Sequence, residues 1–378
     1  MSGLYIHIPF CLQKCSYCDF LSFSNLQDNQ KKYVDALCKE IRILKSNFNR
    51  KIETIYIGGG TPSILVYGEV ERILNTVFDN FGIDDKCEIS IEANPATVDS
   101  KRLLEYKQSG INRISFGAQS FDNKLLKIIN RAHNSKDITE SVNLARDCGI
   151  ENINIDLMSN LPLQTKDSLI NSIKSAINLN IEHISLYDLI LNENTALYAK
   201  IQNKELTLPD EDEIYDALND AKQLLKKAGY IKYEISNYAK IGFRCKHNMI
   251  YWQQKEFLAL GLGASFAYFE GDEYFRGNNH NDFENYYNDI DNNLLPINNK
   301  EKINFDNRVF EYLMMGFRII DGIELNDFYK SFNIDFFEKF GDKYNKLKLD
   351  GLIDRSSNRV FLTKRGLELQ NKVLLEFL

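Results

Sequence analysis

Three of the chain's seven cysteines, Cys11, Cys15 and Cys18, fall within eight residues of one another in the segment IPFCLQKCSYCDF at residues 8–20. Thiolates are soft ligands, and three on one short loop suit zinc or an iron–sulfur cluster. A structural zinc site takes four ligands. No second Cys pair or Cys/His pair stands at a suitable spacing, and Cys38 lies inside a helical pattern. A four-iron, four-sulfur cubane on three cysteines is chemically different, because one iron keeps an open position that a small chelating molecule can occupy. Cys87, Cys148 and Cys245 are scattered, so the set does not read as a disulfide framework.

Other residues with chemical potential close short apolar runs. Ile57-Gly58-Gly59-Gly60-Thr61-Pro62 ends one such run. Its glycines let backbone approach a ligand closely and expose amide donors. It lacks the Gly-Lys-Ser/Thr of a phosphate loop and the spacing of a dinucleotide fingerprint, and the plain alternative is a tight turn. Glu92 in IEANP, Gln119 in SFGAQSF and Asp156 in NINIDL stand at the ends of the runs that follow. His7, on the first strand, points to the rim or core where it can help order the cysteine loop, but it reads, like His133, His183 and His280, as solvated or locally hydrogen-bonded.

The elements that position these residues form a repeating pattern. Strand candidates at 4–8, 54–57, 88–92, 113–116, 152–157 and 183–189 are short and rich in Ile, other β-branched residues and aromatics. Between them lie amphipathic stretches at 31–45, 69–78, 100–108, 136–147, 166–179 and 211–227, with apolar residues at helical spacing. Six βα units in succession predict parallel strands with right-handed crossovers, two units short of a closed barrel. In such arrays the C-terminal ends of the strands form the ligand-binding rim, where the cysteine loop, the glycine segment, Glu92, Gln119 and Asp156 all fall. The expected fold class is therefore α/β, a partial (βα)6 barrel over residues 1–235. Residues 236–378 form the expected accessory domain. Within it, 239–300 reads as irregular and 309–317, 325–329 and 336–347 as short helices. Its end reads as a winged-helix-like unit, or alternatively as a helical cap with a β-hairpin.

Composition narrows the function classes. With 46 Lys plus Arg against 53 Asp plus Glu, the net charge is −7, which disfavours a protein built to grip nucleic-acid backbone. The longest nearly apolar run, 257–269, is too short for a bilayer span. No secretory leader pattern opens the chain, so a cytoplasmic location is expected, with peripheral association at a membrane-bound partner left open.

The Cys-x-x-x-Cys-x-x-Cys spacing after the first strand of a βα array resembles the radical S-adenosylmethionine (SAM) superfamily. YIHIPFC, CDF, GGGTP, SIEANP, SFGAQSF and INIDL resemble its coproporphyrinogen III dehydrogenase-like branch over essentially the whole chain. The resemblance implies a [4Fe–4S] cluster on Cys11, Cys15 and Cys18. It implies SAM held by Gly59, Gly60, Thr61, Glu92, Gln119, Arg131 and Asp156 with Tyr5 and Tyr17, and an electron donor if SAM is cleaved. Two activities share this branch: oxygen-independent coproporphyrinogen III dehydrogenation, and haem chaperoning, in which haem is bound and passed to an acceptor protein. The dehydrogenase pattern continues to a fourth cysteine where this chain has Phe20, and it carries a segment upstream of the first strand, whereas only four residues precede Tyr5. His247-Asn248-Met249-Ile250-Tyr251-Trp252 resembles the His-Asn-x-x-Tyr-Trp motif of the haem-chaperone group. Imidazole is a common haem ligand, and Tyr and Trp rings offer flat apolar surface, so His247, Tyr251 and Trp252 are the expected haem contacts, with Cys245 a competing soft ligand. The plain alternative is a hydrogen-bonded His247 near a domain junction and a packed Trp252. The expected function is haem chaperone; the alternatives are a radical SAM enzyme such as the dehydrogenase and, more remotely, a DNA-binding regulator.

Overall fold

The computed structural model describes every residue except Met1 and Asn25. Its centre is the expected parallel array: β1 (Ser2–Ile8), β2 (Lys51–Gly59), β3 (Gly82–Ala93), β4 (Arg113–Gln119), β5 (Asn152–Ser159) and β6 (His183–Asp188), paired in chain order. The period of two along β1 explains its placement. Leu4, Ile6 and Ile8 are fully buried in the main core. Tyr5 and His7 face the opposite side, opposite Tyr56 and Gly58 of β2. Each fully buried Leu or Ile contributes roughly 1.5–3 kcal/mol relative to exposure. The helix Gln30–Asn47 buries Tyr33, Val34, Leu37, Cys38, Ile41 and Leu44 as one stripe against this sheet. Later helices start where the sequence supplies caps. Asn134 and Thr165 each close a capping box, and Asp210 accepts from the amides of Asp212 and Glu213.

A seventh parallel strand, β7 (Phe257–Leu260), lies on the far side of β1, with Leu4 opposite Leu258. The sheet then continues antiparallel through Ser265–Glu270, Glu273–Asn279 and Ile297–Lys302. At its other edge Asn237–Ala239 pairs with β6, followed by Ile231–Lys232. These pairings correct the expectation that residues 239–300 are irregular. Phe266 and Tyr268 turn inward on a hairpin whose turn, Gly271-Asp272, is made by a glycine at φ +59°. Ile297–Lys302 carries almost no apolar residue and is a strand only because its neighbour's backbone pairs with it. The expected boundary at 235/236 accordingly falls inside a continuous sheet.

The main hydrophobic cluster ends near Ile297, and a separate one begins at Val309. It is built on Phe317, Phe328, Phe332, Phe336, Phe340 and Phe377. The order there is helix Phe305–Gly316, strand Ile323–Glu324, helices Leu325–Phe332 and Phe336–Leu349, then the hairpin Ile353–Arg355 and Arg359–Leu362, whose second strand pairs with Ile323–Glu324. These helices and the three-stranded ladder share one hydrophobic core. Among the described residues no helix is long and apolar enough to cross a membrane.

Candidate cluster and cofactor site at the barrel rim

β1 ends at Ile8, and the chain passes Pro9 into a two-residue ladder, Phe10–Cys11 against Phe23–Ser24. Cys11 closes the first of those short strands, and the loop that follows carries Cys15 and Cys18 at the C-terminal end of the barrel. Its backbone is fastened to neighbouring elements. Ser16 N donates to Ile129 O at 3.1 Å, and Leu197 N donates to Ser16 O at 2.7 Å. Gln13 Nε2 donates to Asn130 O at 3.0 Å, and Asn130 Nδ2 to Lys14 O at 2.9 Å. His7 ties down the exit of the loop. Its Nε2 donates to Leu21 O at 2.9 Å, which leaves Nδ1 to accept from Tyr5 Oη at 3.0 Å. Burial lowers the pKa of His7 and keeps the ring neutral in that role.

Arg131 Nη1 donates to Cys15 Sγ at 3.2 Å, and Nη2 donates to Gly117 O. Its Nε is buried without a partner, a donor left over for a ligand. Burial pushes the Cys18 thiol up to about 11, so metal coordination must draw its proton off. A cubane offers each thiolate its own iron, so three soft sulfur donors at Cys11, Cys15 and Cys18 fit a four-iron cluster with one iron left open.

The glycine turn lies directly on this loop. Gly60 N donates to Ile8 O at 2.8 Å and Thr61 N to Phe10 O at 2.7 Å. Thr61 Oγ1 lies 3.7 Å from Cys11 Sγ. A β-carbon on Gly60 would sit 2.6 Å from Phe10 O and 3.0 Å from Cys11 Sγ, and Gly59 adopts φ +117°. The contact therefore requires glycine at both positions.

Beneath the turn lies Glu92. Oε1 accepts from Tyr56 Oη at 2.8 Å, and Oε2 accepts from Gly59 N at 3.2 Å. Burial pushes its carboxyl up to about 7, aided by the charge of Asp156 and opposed by the Tyr56 hydrogen bond. Asp156 accepts from Ser115 Oγ at 3.2 Å and Asn154 Nδ2 at 2.7 Å. Gln119 sits at φ +66° and accepts from Tyr187 Oη at 2.9 Å. Tyr17 packs against the small apolar cluster of Leu125, Ile129, Met158 and Leu197. The structure thus brings the cysteine loop, the glycine turn, Glu92, Gln119, Arg131 and Asp156 to one end of the barrel.

His247 is at the other end. The helix Lys246–Trp252 caps the N-terminal side of β1 and β2, where His247 Nδ1 bonds Thr54 Oγ1 at 2.7 Å and Nε2 bonds Tyr251 Oη at 2.7 Å. Glu88 accepts from the amides of Lys246 and His247, both at 3.1 Å. Desolvation and the nearby Arg113 charge bring the His247 pKa down to about 3. Both ring nitrogens are engaged, so neither is open to iron in this conformation. Trp252 is half-buried, with Arg318 over its ring at 5.1 Å and its indole N–H unpaired. Cys245 is fully buried, and its thiol is pushed up to about 12 by burial.

Sequence reasoning missed Tyr56, Tyr187, Ser115 and Asn154, which support the rim side chains. Alternation along β2 offered a signal for Tyr56, since it shares a face with Gly58.

The profile of the radical SAM superfamily matches residues 5–176, and that of the HemN C-terminal domain matches residues 303–369. The heme chaperone HemW of Buchnera aphidicola subsp. Acyrthosiphon pisum is 37% identical, covering 100% of this chain and 98% of the relative. The HemW of Bacillus subtilis is 33% identical, covering 100% and 99%. A solved structure of coproporphyrinogen III oxidase (HemN) from Escherichia coli, a radical SAM enzyme, superposes with a TM-score of 0.85 over 99% of this chain and 89% of that one. At 23% identity that likeness shows the shared fold. Full-length identity at this level, on a rim built around three loop cysteines, places the chain in the HemW family of the radical SAM superfamily.

Proposed function

We propose that this protein is a haem chaperone, which binds haem and passes it to an acceptor protein. The observation that carries this reading is the match to heme chaperones along the entire chain, at 37% identity. In this reading Cys11, Cys15 and Cys18 hold a [4Fe–4S] cluster, and Gly59, Gly60, Thr61, Glu92, Gln119, Arg131 and Asp156, with Tyr5 and Tyr17, hold SAM. Together those groups supply one-electron chemistry at the sulfonium when reduced. The chain's own residues do the positioning. The glycine turn brings the Thr61 hydroxyl beside Cys11 and leaves a ligand room to approach, Arg131 balances negative charge at Cys15, and Glu92 and Asp156 supply acceptors for hydroxyl and ammonium groups. Haem contact at the Lys246–Trp252 segment involves His247, Tyr251 and Trp252, with Tyr251 and Trp252 partly exposed. Ligation by His247 requires its bonds to Thr54 and Tyr251 to break first.

We place the division between the cofactor-binding body and the C-terminal unit at about residues 303–308, between the two hydrophobic clusters. Anaerobically reconstituted protein should bind haem stoichiometrically by visible absorption and release it to an apo-haem protein. Given reductant, SAM and coproporphyrinogen III, it should form no vinyl product. Turnover to protoporphyrinogen would overturn the reading in favour of a dehydrogenase.

A further inference from the structure

Both anchors of the cysteine loop lead to one open cleft. It has a volume of about 430 Å³ and is lined by Lys124, Lys127, Ile128, Lys200, Glu205 and Leu206. One wall is the helix Asn123–Ile128, whose following residues Ile129 and Asn130 hold the loop at Ser16, Gln13 and Lys14. The other wall is the helix Ala196–Gln202, whose Leu197 holds Ser16. Leu125, Ile129 and Leu197 pack with Tyr17, between Ser16 and Cys18. The cleft is therefore the outer side of the packing that carries the three thiols.

Its charge is opposite to that of the molecule. The chain carries −7, yet the cleft sets three lysines against the single carboxylate of Glu205. Lys14 and Lys204 are exposed on the loop and just beyond the second helix. Among the described residues no ion pair neutralises Lys124, Lys127, Lys200 or Lys204, and Lys14 on the loop donates only to the backbone oxygen of Phe20. Unpaired cations gathered on an acidic protein attract an acidic surface and raise its rate of encounter.

We propose that this lysine-lined cleft docks an acidic, low-potential one-electron protein, a flavoprotein or iron–sulfur carrier, that reduces the cluster on Cys11, Cys15 and Cys18. The inference rests on the cluster assignment made above. One electron leaves the reduced carrier and enters the cluster, taking its oxidised 2+ core to 1+; no bond forms and no proton need move. The carrier seats against Lys124, Lys127 and Lys200, and the Ser16–Ile129 and Ser16–Leu197 contacts place it next to the loop. A partner seated there contacts the thiol-bearing loop without entering the barrel mouth, which leaves Glu92, Gln119 and Asp156 free for a bound cofactor.

The test uses the full-length reconstituted protein and its K124E/K127E/K200E variant, with an acidic flavodoxin in its hydroquinone form as the reductant. Stopped-flow absorbance should show wild-type cluster reduction slowing about tenfold or more between 20 and 300 mM salt, consistent with electrostatic steering. The variant should be about tenfold slower at low salt and nearly salt-independent. Dithionite, a small reductant, should reduce both proteins alike, and iron, sulfide and SAM affinity should be unchanged. Equal flavodoxin rates for the two proteins at low salt would overturn the docking site. Absence of a reducible cluster, with dithionite as well, would instead overturn the cluster assignment. Slowed release of haem to an apo-protein, with normal flavodoxin reduction, would assign the cleft to the acceptor and overturn the proposal.

Discussion

Tyr56 Oη donates to Glu92 Oε1 across 2.8 Å, while the Tyr56 ring stacks on His247 with centroids 5.2 Å apart. One side chain thus connects the plug at the foot of the barrel to the carboxylate beneath the glycine turn. Tyr56→Phe keeps the ring and removes the hydrogen bond. Leaving a buried acceptor unpaired costs about 1–3 kcal/mol, so SAM affinity should fall by about tenfold if Glu92 holds the ligand. Equilibrium dialysis with labelled SAM measures this, with iron and sulfide unchanged as the check on folding. Undiminished affinity would remove Glu92 from the SAM contacts.

Gly60 has no room for a side chain, because a β-carbon would meet the backbone oxygen Phe10 O at 2.6 Å. Gly60→Ala must displace the strand that carries Cys11. The expected cost is about 1–3 kcal/mol, together with a fall in iron bound per chain. Gly82→Ala is the control, since nothing lies within 4 Å of its β-carbon position. Normal iron loading in Gly60→Ala would show that the turn does not support Cys11.

His247→Ala removes a buried ring and leaves the Thr54 and Tyr251 hydroxyls without their partner. The loss should be about 2–5 kcal/mol of unfolding free energy, read by chemical denaturation at pH 7. A loss below about 0.5 kcal/mol would mean that the plug is not seated as described.

Glu40 is buried, and its carboxylate accepts from Gly261 N at 2.8 Å, Asn279 Nδ2 at 2.7 Å and Tyr286 Oη at 2.6 Å. Burial outweighs these donors and pushes its carboxyl up from 4.5 to about 7. Between those values the folded chain keeps a proton that the unfolded chain has lost. Stability from this group is therefore full below pH 4.5 and falls as pH rises through 7. The cost above pH 7 is about 3 kcal/mol. Glu40→Gln should gain stability relative to wild type between pH 5 and pH 8, as measured by denaturant titration at each pH. A difference that does not change with pH would show that Glu40 is ionised throughout.

By itself the sequence determined the parallel array, because each barrel strand is a short β-branched run and each crossover helix repeats apolar residues at helical spacing. It also marked the rim. Cys11, Cys15, Cys18, the glycine turn, Glu92, Gln119 and Asp156 directly follow or end strands, so chain order alone puts them at one end of the barrel. Strands such as Ile297–Lys302 were not legible, because backbone pairing with a neighbour holds them in place of an apolar face of their own. Tertiary structure alone decided the place of His247. Its local pattern suits an iron ligand and a core residue equally, and only the approach of Thr54, 193 positions earlier in the chain, occupies its second nitrogen. The lysine cleft was equally invisible, since Lys124, Lys127 and Lys200 become neighbours only when two distant helices close over the cysteine loop.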